Sequence, residues 1–202
     1  MTSAGSGGTA AQLPPIDPVT GFLPPGVHPC TWAEFEYTFV DCAPHPDHRR
    51  RRLKALEVYV DCLDDLFPDS TLWLDGGFVS HKADPPFDID VLAKVKPGPW
   101  ATVNKAAAAE MDGFNAWVAG GQQGYPPKTP TMTQLGGLST HHAAQVGNGA
   151  FYPRIQPFGG RIDSFIIPAD MAKALAQFRR DWMQDFGSGA RKGFAEVKPD
   201  DR

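Results

Sequence analysis

Two glycines and two aspartates in the middle of the chain are of the residue types that handle phosphates and metal ions. An apolar run ends at Gly76 and Gly77, and after a short spacer Asp88 and Asp90 flank a single isoleucine. If this second segment is a strand, both carboxylates point to the same side of it, because side chains alternate along a strand. Two carboxylates about 7 Å apart repel each other unless a cation lies between them, and Mg²⁺ prefers oxygen ligands of this kind. The spacing therefore predicts that Asp88 and Asp90 bind Mg²⁺ or Mn²⁺.

A third carboxylate, Asp163, lies among apolar residues in the predicted strand 161–167. An uncompensated charge at such a position is costly, so we expect Asp163 to face a metal ion or a positioned hydroxyl, as a third catalytic and metal-binding residue. The alternative is an edge-strand aspartate that pairs with Arg161 or a lysine. For Asp88 and Asp90 the alternative is an acidic pair on a solvated strand face.

The phosphate-binding half of the predicted site consists of Gly76, Gly77, Lys82 and Arg161. The glycines let backbone N–H groups approach an anion closely. Lys82 lies in the loop after the glycines and Arg161 lies two residues before Asp163, so both are predicted to contact the phosphates of a bound nucleotide. The alternative for each is a solvated surface cation. A phosphate cradle next to metal-binding carboxylates is typical of phosphoryl or nucleotidyl transfer.

Two other polar groups are weaker candidates. His141 and His142 suggest a zinc site, but no cysteine or further histidine stands at ligand spacing, and a role in a loop that closes on substrate is the alternative. The basic run 49–52 opens a predicted helix, where the helix dipole disfavours positive charge. This run is interpreted either as a contact to RNA phosphates or as a solvated helix face.

The elements that must position these residues are predicted from periodicity and from end signals. Thr31 and Glu34 form a capping box that opens a short first helix. Further helices are predicted over 47–67, 99–119 and 169–186, and strands over 71–75, 87–95, 151–155 and 161–167. Apolar stripes on the last two helices are predicted to face the core, and they consist of Trp100, Val103, Ala107, Phe114 and Trp117, and of Met171, Leu175, Phe178, Trp182 and Phe186. The predicted fold is α/β, a small mixed sheet flanked by helices.

Composition predicts one globular domain between two tails. The chain has 202 residues, 42% of them hydrophobic and 21% charged, and a net charge of −4, which disfavours a broad nucleic-acid-binding surface. Residues 1–15 are predicted to be disordered, 16–186 to form the domain and 187–202 to be a loose polar tail. Three cysteines without a CxxC pair, and the lack of a signal sequence or a membrane-length apolar run, predict a cytoplasmic protein with reduced thiols.

The order Gly-Gly, spacer and Asp-Ile-Asp on a strand resembles the signature of the polymerase-beta-like nucleotidyltransferase superfamily. Small, little-characterised bacterial and phage members of it also carry stretches similar to 21–28 and 73–78, and the resemblance spans residues 17–170. It implies a nucleotidyltransferase-like fold and a Mg²⁺-dependent, ATP- or other nucleotide-binding enzyme. It also implies that Asp163 helps to deprotonate an acceptor hydroxyl. The chain departs from the pattern at Gly77, where the family usually has a serine that touches the phosphates.

The leading functional prediction is therefore a nucleotidyltransferase that moves a nucleoside monophosphate from a nucleoside triphosphate to a hydroxyl of tRNA or other RNA, a protein or a small molecule. A toxin-like or accessory role with a neutralising partner protein fits the resemblance. The alternative is a catalytically silent nucleotide-binding or protein-interaction module on the same fold, which Gly77 favours. A third possibility, a metal-dependent phosphodiesterase, lacks the histidine-rich clusters usual for that chemistry.

Overall fold

The computed structural model describes residues 13–137, 142–146, 150–155 and 157–199. Within these residues, seven strands form one mixed sheet in the order β1-β7-β2-β3-β6-β5-β4. The strands are β1 (Gly26–Pro29), β2 (Thr71–Asp75), β3 (Ile89–Val95), β4 (His142–Val146), β5 (Ala150–Ile155), β6 (Ile162–Pro168) and β7 (Gly193–Val197). The helices are α1 (Trp32–Glu36), which continues as a π-helical turn (Tyr37–Asp41), α2 (Pro46–Asp64), α3 (Pro97–Ala119), α4 (Pro130–Gly137), the single turn α5 (Pro157–Gly160) and α6 (Ala172–Trp182).

The sheet is covered by helices on both faces. On one face α1 and α2 form a core with apolar side chains of β2, β3 and β6, and there the hydroxyls of Tyr59 and Ser164 are hydrogen-bonded at 2.6 Å. On the other face Trp182 of α6 packs edge-on against Phe194 of β7, whose ring also contacts Trp73 of β2. This arrangement confirms the predicted α/β class with a mixed sheet flanked by helices, although the sheet has more strands than predicted.

The start of α1 is as predicted. The Glu34 N–H donates to Thr31 Oγ1 at 3.2 Å, and the Thr31 N–H donates to Glu34 Oε2 at 2.8 Å, so the capping box is complete. Phe35 and Phe39 lie four residues apart, and their ring centroids are 5.3 Å from each other in the core. Local sequence signals therefore suffice to define this helix.

The C-terminal segment differs from the prediction of a loose tail over 187–202. β7 lies between β1 and β2 in the sheet, and Phe194 and Ala195 are fully buried. The strand is short and its neighbours are distant in sequence, so local periodicity did not reveal it. At the other terminus Leu13 packs against the core, so the predicted disorder of 1–15 does not hold there, while 1–12 lie outside the described residues.

The apolar stripes predicted on two helices are only partly buried. Val103 of α3 is buried, whereas Phe114 is 37% exposed. Val103 is the residue of α3 that is buried, and Trp100 of the first turns packs against the core, so the rest of α3 lies outside the core. α6 ends at Trp182 rather than at 186, and Phe186 is 80% exposed, because the chain turns back there through a bridge between Gln184 and Arg191.

The segment between the helix predicted over 99–119 and the strand predicted over 151–155 contains α4 and β4 in its described part. Among the helices that the structure describes, none combines the length and the apolar character needed to cross a membrane.

Candidate functional site

Three aspartates lie side by side where β2 ends and where β3 and β6 begin. Asp75 is paired in register with Asp90, and Asp90 with Asp163. Residues paired in this way on neighbouring strands point to the same face of a sheet, here the face that α6 covers. The fold thus brings Asp90 and Asp163 together as the sequence predicted. It adds Asp75, which the sequence analysis missed although it is the strand residue directly before Gly76.

Gly76 allows Asp90 to approach the end of β2. Its φ angle is +79°, and a Cβ atom built on it would overlap Asp90 Oδ2 and lie 2.9 Å from Asp90 Cγ. Gly77 is different, because a Cβ there would meet Pro86 only at 3.7 Å, an ordinary contact distance. The geometry therefore requires glycine at position 76, whereas position 77 has room for a side chain.

The electrostatics of the site centre on Asp90. The pKa of Asp90 is raised from 3.8 to about 7, mainly by burial and also by the carboxylates of Asp88, Asp75 and Asp163, while Lys192 acts in the opposite direction. Like charges raise a carboxyl pKa only when they are near, so the four aspartates form one interacting group. A carboxyl group with this pKa is poised to lose its proton when a cation binds.

A buried ion pair closes one end of this group. Lys192 Nζ donates to Asp75 Oδ1 at 2.5 Å, and both side chains are almost fully buried. Burial raises the pKa of Asp75, and the positive charge of Lys192 acts against that rise. Lys192 lies just before β7, in the segment predicted to be loose, so no sequence signal near the motif could have identified it.

Side chains from the start of α2 hold the loop between β2 and β3. His45, His48, Arg49 and Arg52 recur at helical spacing and therefore lie on one side of the helix. Each of them forms a hydrogen bond with a loop carbonyl oxygen: His45 Nε2 with Ala83 at 2.6 Å, His48 Nε2 with Pro86 at 2.8 Å, Arg52 Nε with Phe87 at 2.9 Å, and Arg49 with Phe78 and Ser80.

Arg49 is the most buried of these four residues, which together anchor the β2–β3 loop. Its side chain is fully buried and lies against the Phe78 ring, and burial lowers its pKa to about 10, so it stays charged at neutral pH. The guanidinium donates only to carbonyl oxygens, those of Phe78 at 2.6 Å, Pro44 at 2.7 Å, Ser80 at 2.8 Å and Phe39 at 3.0 Å. Neither interpretation of the run 49–52 fits this residue, which is structural. Arg50 pairs with Glu36 and Asp41 on the surface.

Lys82 has a carboxylate partner. Its Nζ donates to Asp185 Oδ1 at 2.9 Å and lies 4.8 Å from the centre of the Phe22 ring. Burial would raise the pKa of Asp185, but hydrogen bonds from Ser188 and Lys82 outweigh it and lower that pKa to about 2. The structure thus ties Lys82 to the chain before β7, and its contact to phosphates stays a prediction.

Two cavities border Lys82 rather than the row of aspartates. One cavity, of about 670 Å³, lies between residues 16–21 and the β2–β3 loop, and its lining includes Asp17 and His81. The other, of about 460 Å³, includes Phe22 and Asp185. Lys82 lines both cavities, and it belongs to the β2–β3 loop that the side chains of α2 hold.

The aspartates share a face without converging on one point. Within the described residues, no group of three or more histidine, cysteine, aspartate or glutamate side chains is arranged as a metal-ligand set. Carboxylate oxygens nevertheless suit Mg²⁺ or Mn²⁺ better than softer metals. The metal-binding role of Asp88, Asp90 and Asp163 stays a prediction. His141 lies outside the described residues, and of His142 only the backbone is described, in β4.

Comparison with known proteins gives a family without an assigned activity. No curated protein and no solved structure matches the chain. Residues 14–198 match the model of DUF6932, a family of unknown function. That range includes every strand of the sheet, the four aspartates and Lys192. The chain therefore belongs to the DUF6932 family.

Proposed function

We propose that this protein is a Mg²⁺-dependent nucleotidyltransferase, which transfers a nucleoside monophosphate from a nucleoside triphosphate to a hydroxyl group of RNA or tRNA, a protein or a small molecule. The observation that carries the proposal is the alignment of Asp75, Asp90 and Asp163 across three strands, beside the Gly76 turn. Asp88 lies close enough to raise the pKa of Asp90. Such a group repels itself unless cations bind to it.

The residues of the chain have separate roles in this proposal. Asp88, Asp90 and Asp163 hold Mg²⁺ or Mn²⁺, which when bound neutralises the triphosphate and makes the acceptor hydroxyl more acidic. Asp163 accepts the proton of the attacking hydroxyl, whose oxygen forms a bond to the α-phosphorus as the bond between that phosphorus and the α,β-bridging oxygen breaks and pyrophosphate leaves. Backbone N–H groups at Gly76 and Gly77 face the phosphates. Catalysis then relies on positioning and electrostatics, and no side chain acts as a nucleophile.

The resemblance to the polymerase-beta-like nucleotidyltransferase superfamily supports the same function. The glycines, the spacer and Asp88-Ile89-Asp90 follow in the order of that signature, although β3 begins at Ile89 and Asp88 lies just before it. Asp163 lies on the neighbouring strand β6. The cysteine pattern supports a cytoplasmic location, and the same resemblance supports a toxin-like or accessory role with a neutralising partner protein. A serine side chain would fit at position 77. The chain therefore lacks the hydroxyl group of the family's serine, and no steric clash explains this difference.

A transfer assay tests the proposal. Purified protein is incubated with each α-labelled nucleoside triphosphate, Mg²⁺ or Mn²⁺, total RNA and cell lysate. Label should appear on an RNA, protein or small-molecule product with the wild type, and it should disappear in the double variant Asp88→Ala/Asp90→Ala. Asp84→Ala is the matched control, because this exposed aspartate lies in the same loop. No label with any nucleotide, from folded protein, would contradict the proposal.

A catalytically silent module is the second candidate, and the Lys192–Asp75 ion pair favours it. This pair already supplies one buried positive charge to the acidic group, which reduces the need for a metal ion. Thermal stabilisation by a nucleoside triphosphate with Mg²⁺, lost in Asp88→Ala but without any transfer, would identify a nucleotide-binding module. If the protein shows neither stabilisation nor transfer, a protein-interaction module is the function that remains.

A further inference from the structure

Two arginines from separate elements flank Asp88. Arg52 on α2 donates from Nε to the carbonyl oxygen of Phe87 at 2.9 Å. The carbonyl oxygen of Arg161, at the start of β6, accepts a hydrogen bond from the N–H of Ile89 at 3.0 Å. Because Phe87 and Ile89 are the immediate chain neighbours of Asp88, the tertiary structure brings the Arg52 side chain and the Arg161 backbone next to the segment that carries this carboxylate.

The turn before β6 packs against the same segment. A Cβ atom built on Gly160 would lie 3.7 Å from Cε1 of Phe87, so the backbone of α5 runs beside this ring. Phe158 and Gly159 have φ angles of 55° and 68°, and these left-handed residues turn the chain into Arg161. The position of Arg161 is thus set by backbone geometry and by a sheet hydrogen bond.

Around Arg52 the interacting positive charges outnumber the negative ones. Burial lowers the pKa of Arg52, and repulsion by Arg161 and Arg51 lowers it further, with only Asp88 acting in the opposite direction. Among the ion pairs of the described residues, none involves these three arginines. A group of guanidinium ions that repel one another at the rim of a carboxylate row is suited to binding an anion.

Arg52 is held in one orientation before any ligand binds. Its Nε is used by the Phe87 carbonyl oxygen, and its Nη1 lies 3.4 Å from the carbonyl oxygen of His48. A pre-oriented side chain loses little conformational entropy when it binds a ligand. The planar fork of a guanidinium also matches the oxygens of a phosphate.

We propose that Arg52 and Arg161, which come together beside Asp88, bind the triphosphate group of a nucleoside triphosphate. This inference rests on the proposed function, because Asp88 is there a ligand of the ion that accompanies the triphosphate. A compact polyphosphate fits better than a length of nucleic acid, since the chain carries a net charge of −4 and this basic group is small.

Binding without turnover tests the inference. Calorimetry measures the affinity of the full chain for tripolyphosphate and for ATP, each without and with Mg²⁺. Arg52→Ala and Arg161→Ala should each weaken binding of both ligands about tenfold or more, because each removes a charged hydrogen-bonding partner. Arg50→Ala is the matched control, since it removes the same charge from the same helix, where Glu36 and Asp41 already pair with it. It should stay within about twofold of the wild type.

The outcomes separate the inference from the proposed function. Unchanged binding in both variants overturns the inference, whatever the transfer assay shows. Arginine-dependent binding without any transfer supports the inference and leaves only the proposed chemistry contradicted. If Arg52→Ala loosens the loop, Arg161→Ala decides, because within the described residues its side chain holds no loop carbonyl. Displacement of tripolyphosphate by a single-stranded oligonucleotide with a 5′-hydroxyl, at equal phosphate concentration, would overturn the triphosphate assignment.

Discussion

At the scale of single residues, the packing and the electrostatics of the site meet at Asp90. Its carboxyl group lies against Gly76, where any side chain would overlap it, and between register partners that carry the same charge. The folded chain therefore stabilises the protonated form of Asp90, with a pKa of about 7. This arrangement costs free energy at neutral pH unless a cation compensates it.

Asp90→Asn should stabilise the metal-free protein at high pH. Since the pKa of Asp90 is 3.8 when unperturbed and about 7 in the fold, its contribution to stability is complete below about pH 4 and is lost as the pH rises through 7. The variant should gain roughly 1–3 kcal/mol over the wild type at pH 8. That difference should shrink towards zero near pH 4. Urea unfolding in the presence of a chelator measures it, and a variant less stable than the wild type at pH 8 would contradict the assigned pKa.

The two glycines of the turn should respond differently to substitution. Gly76→Ala places a Cβ on Asp90 and forces a left-handed backbone on alanine, so we expect a loss of roughly 2 kcal/mol or more in thermal unfolding. Gly77→Ser should change stability by less than about 1 kcal/mol, because the nearest atom to its Cβ is 3.7 Å away. It should also increase transfer activity by restoring a hydroxyl donor. Equal losses of stability in both variants would contradict this account.

At the scale of elements, the first turns of α2 act as the anchor of the β2–β3 loop. A loop exposes backbone carbonyl oxygens that need donors, and the side chains at 45, 48, 49 and 52 supply them. The placement of positive charge at a helix N-terminus, which the helix dipole disfavours, is explained by these contacts for Arg49 and Arg52. The anchor positions the loop between the glycines and Asp88.

Arg49→Met should strongly destabilise the protein, because it leaves three buried carbonyl oxygens and the partly buried one of Pro44 without their donor. We expect a loss of roughly 3–5 kcal/mol. Arg50→Met, on the exposed side of the same helix, should cost no more than about 1 kcal/mol. Denaturant unfolding compares the two. Similar small losses would show that the buried guanidinium is dispensable.

At the scale of the whole molecule, β7 connects the N-terminal strand β1 and the C-terminal segment to the strand that carries Asp75. It pairs with β1 on one side and with β2 on the other, and the residue before it, Lys192, neutralises Asp75. The C-terminal segment thus completes both the sheet and the electrostatics of the acidic group.

Truncation after Gly187 should therefore prevent stable folding, since it removes the strand that joins β1 to β2 and leaves Asp75 buried without its partner. Removal of residues 200–202 is the control, and it should leave the unfolding midpoint unchanged because β7 ends at Val197. Circular dichroism and thermal unfolding of both proteins make the comparison. A truncated protein with the cooperative transition of the full chain would contradict the assigned role of β7.

Local patterns predicted much of the fold. The strand 71–75 has the predicted bounds, the strand predicted over 87–95 is found at Ile89–Val95, and the capping box at Thr31 is present. These features depend on side-chain alternation and on contacts between near neighbours. The core stripe of α3 was predicted too long, because periodicity does not show how far along a helix its contact with the core extends.

The sequence by itself determined the α/β class and the strand–loop–strand unit that carries the glycines and Asp88, because both follow from short-range periodicity. Only the tertiary structure decided which charges accompany them. Asp75 and Lys192 are 117 positions apart in the chain, and a local pattern holds no information on such a contact. Burial likewise makes Arg49 a structural hydrogen-bond donor rather than a surface charge. The energetic effect of a charge depends on the dielectric and on the partners that the fold provides.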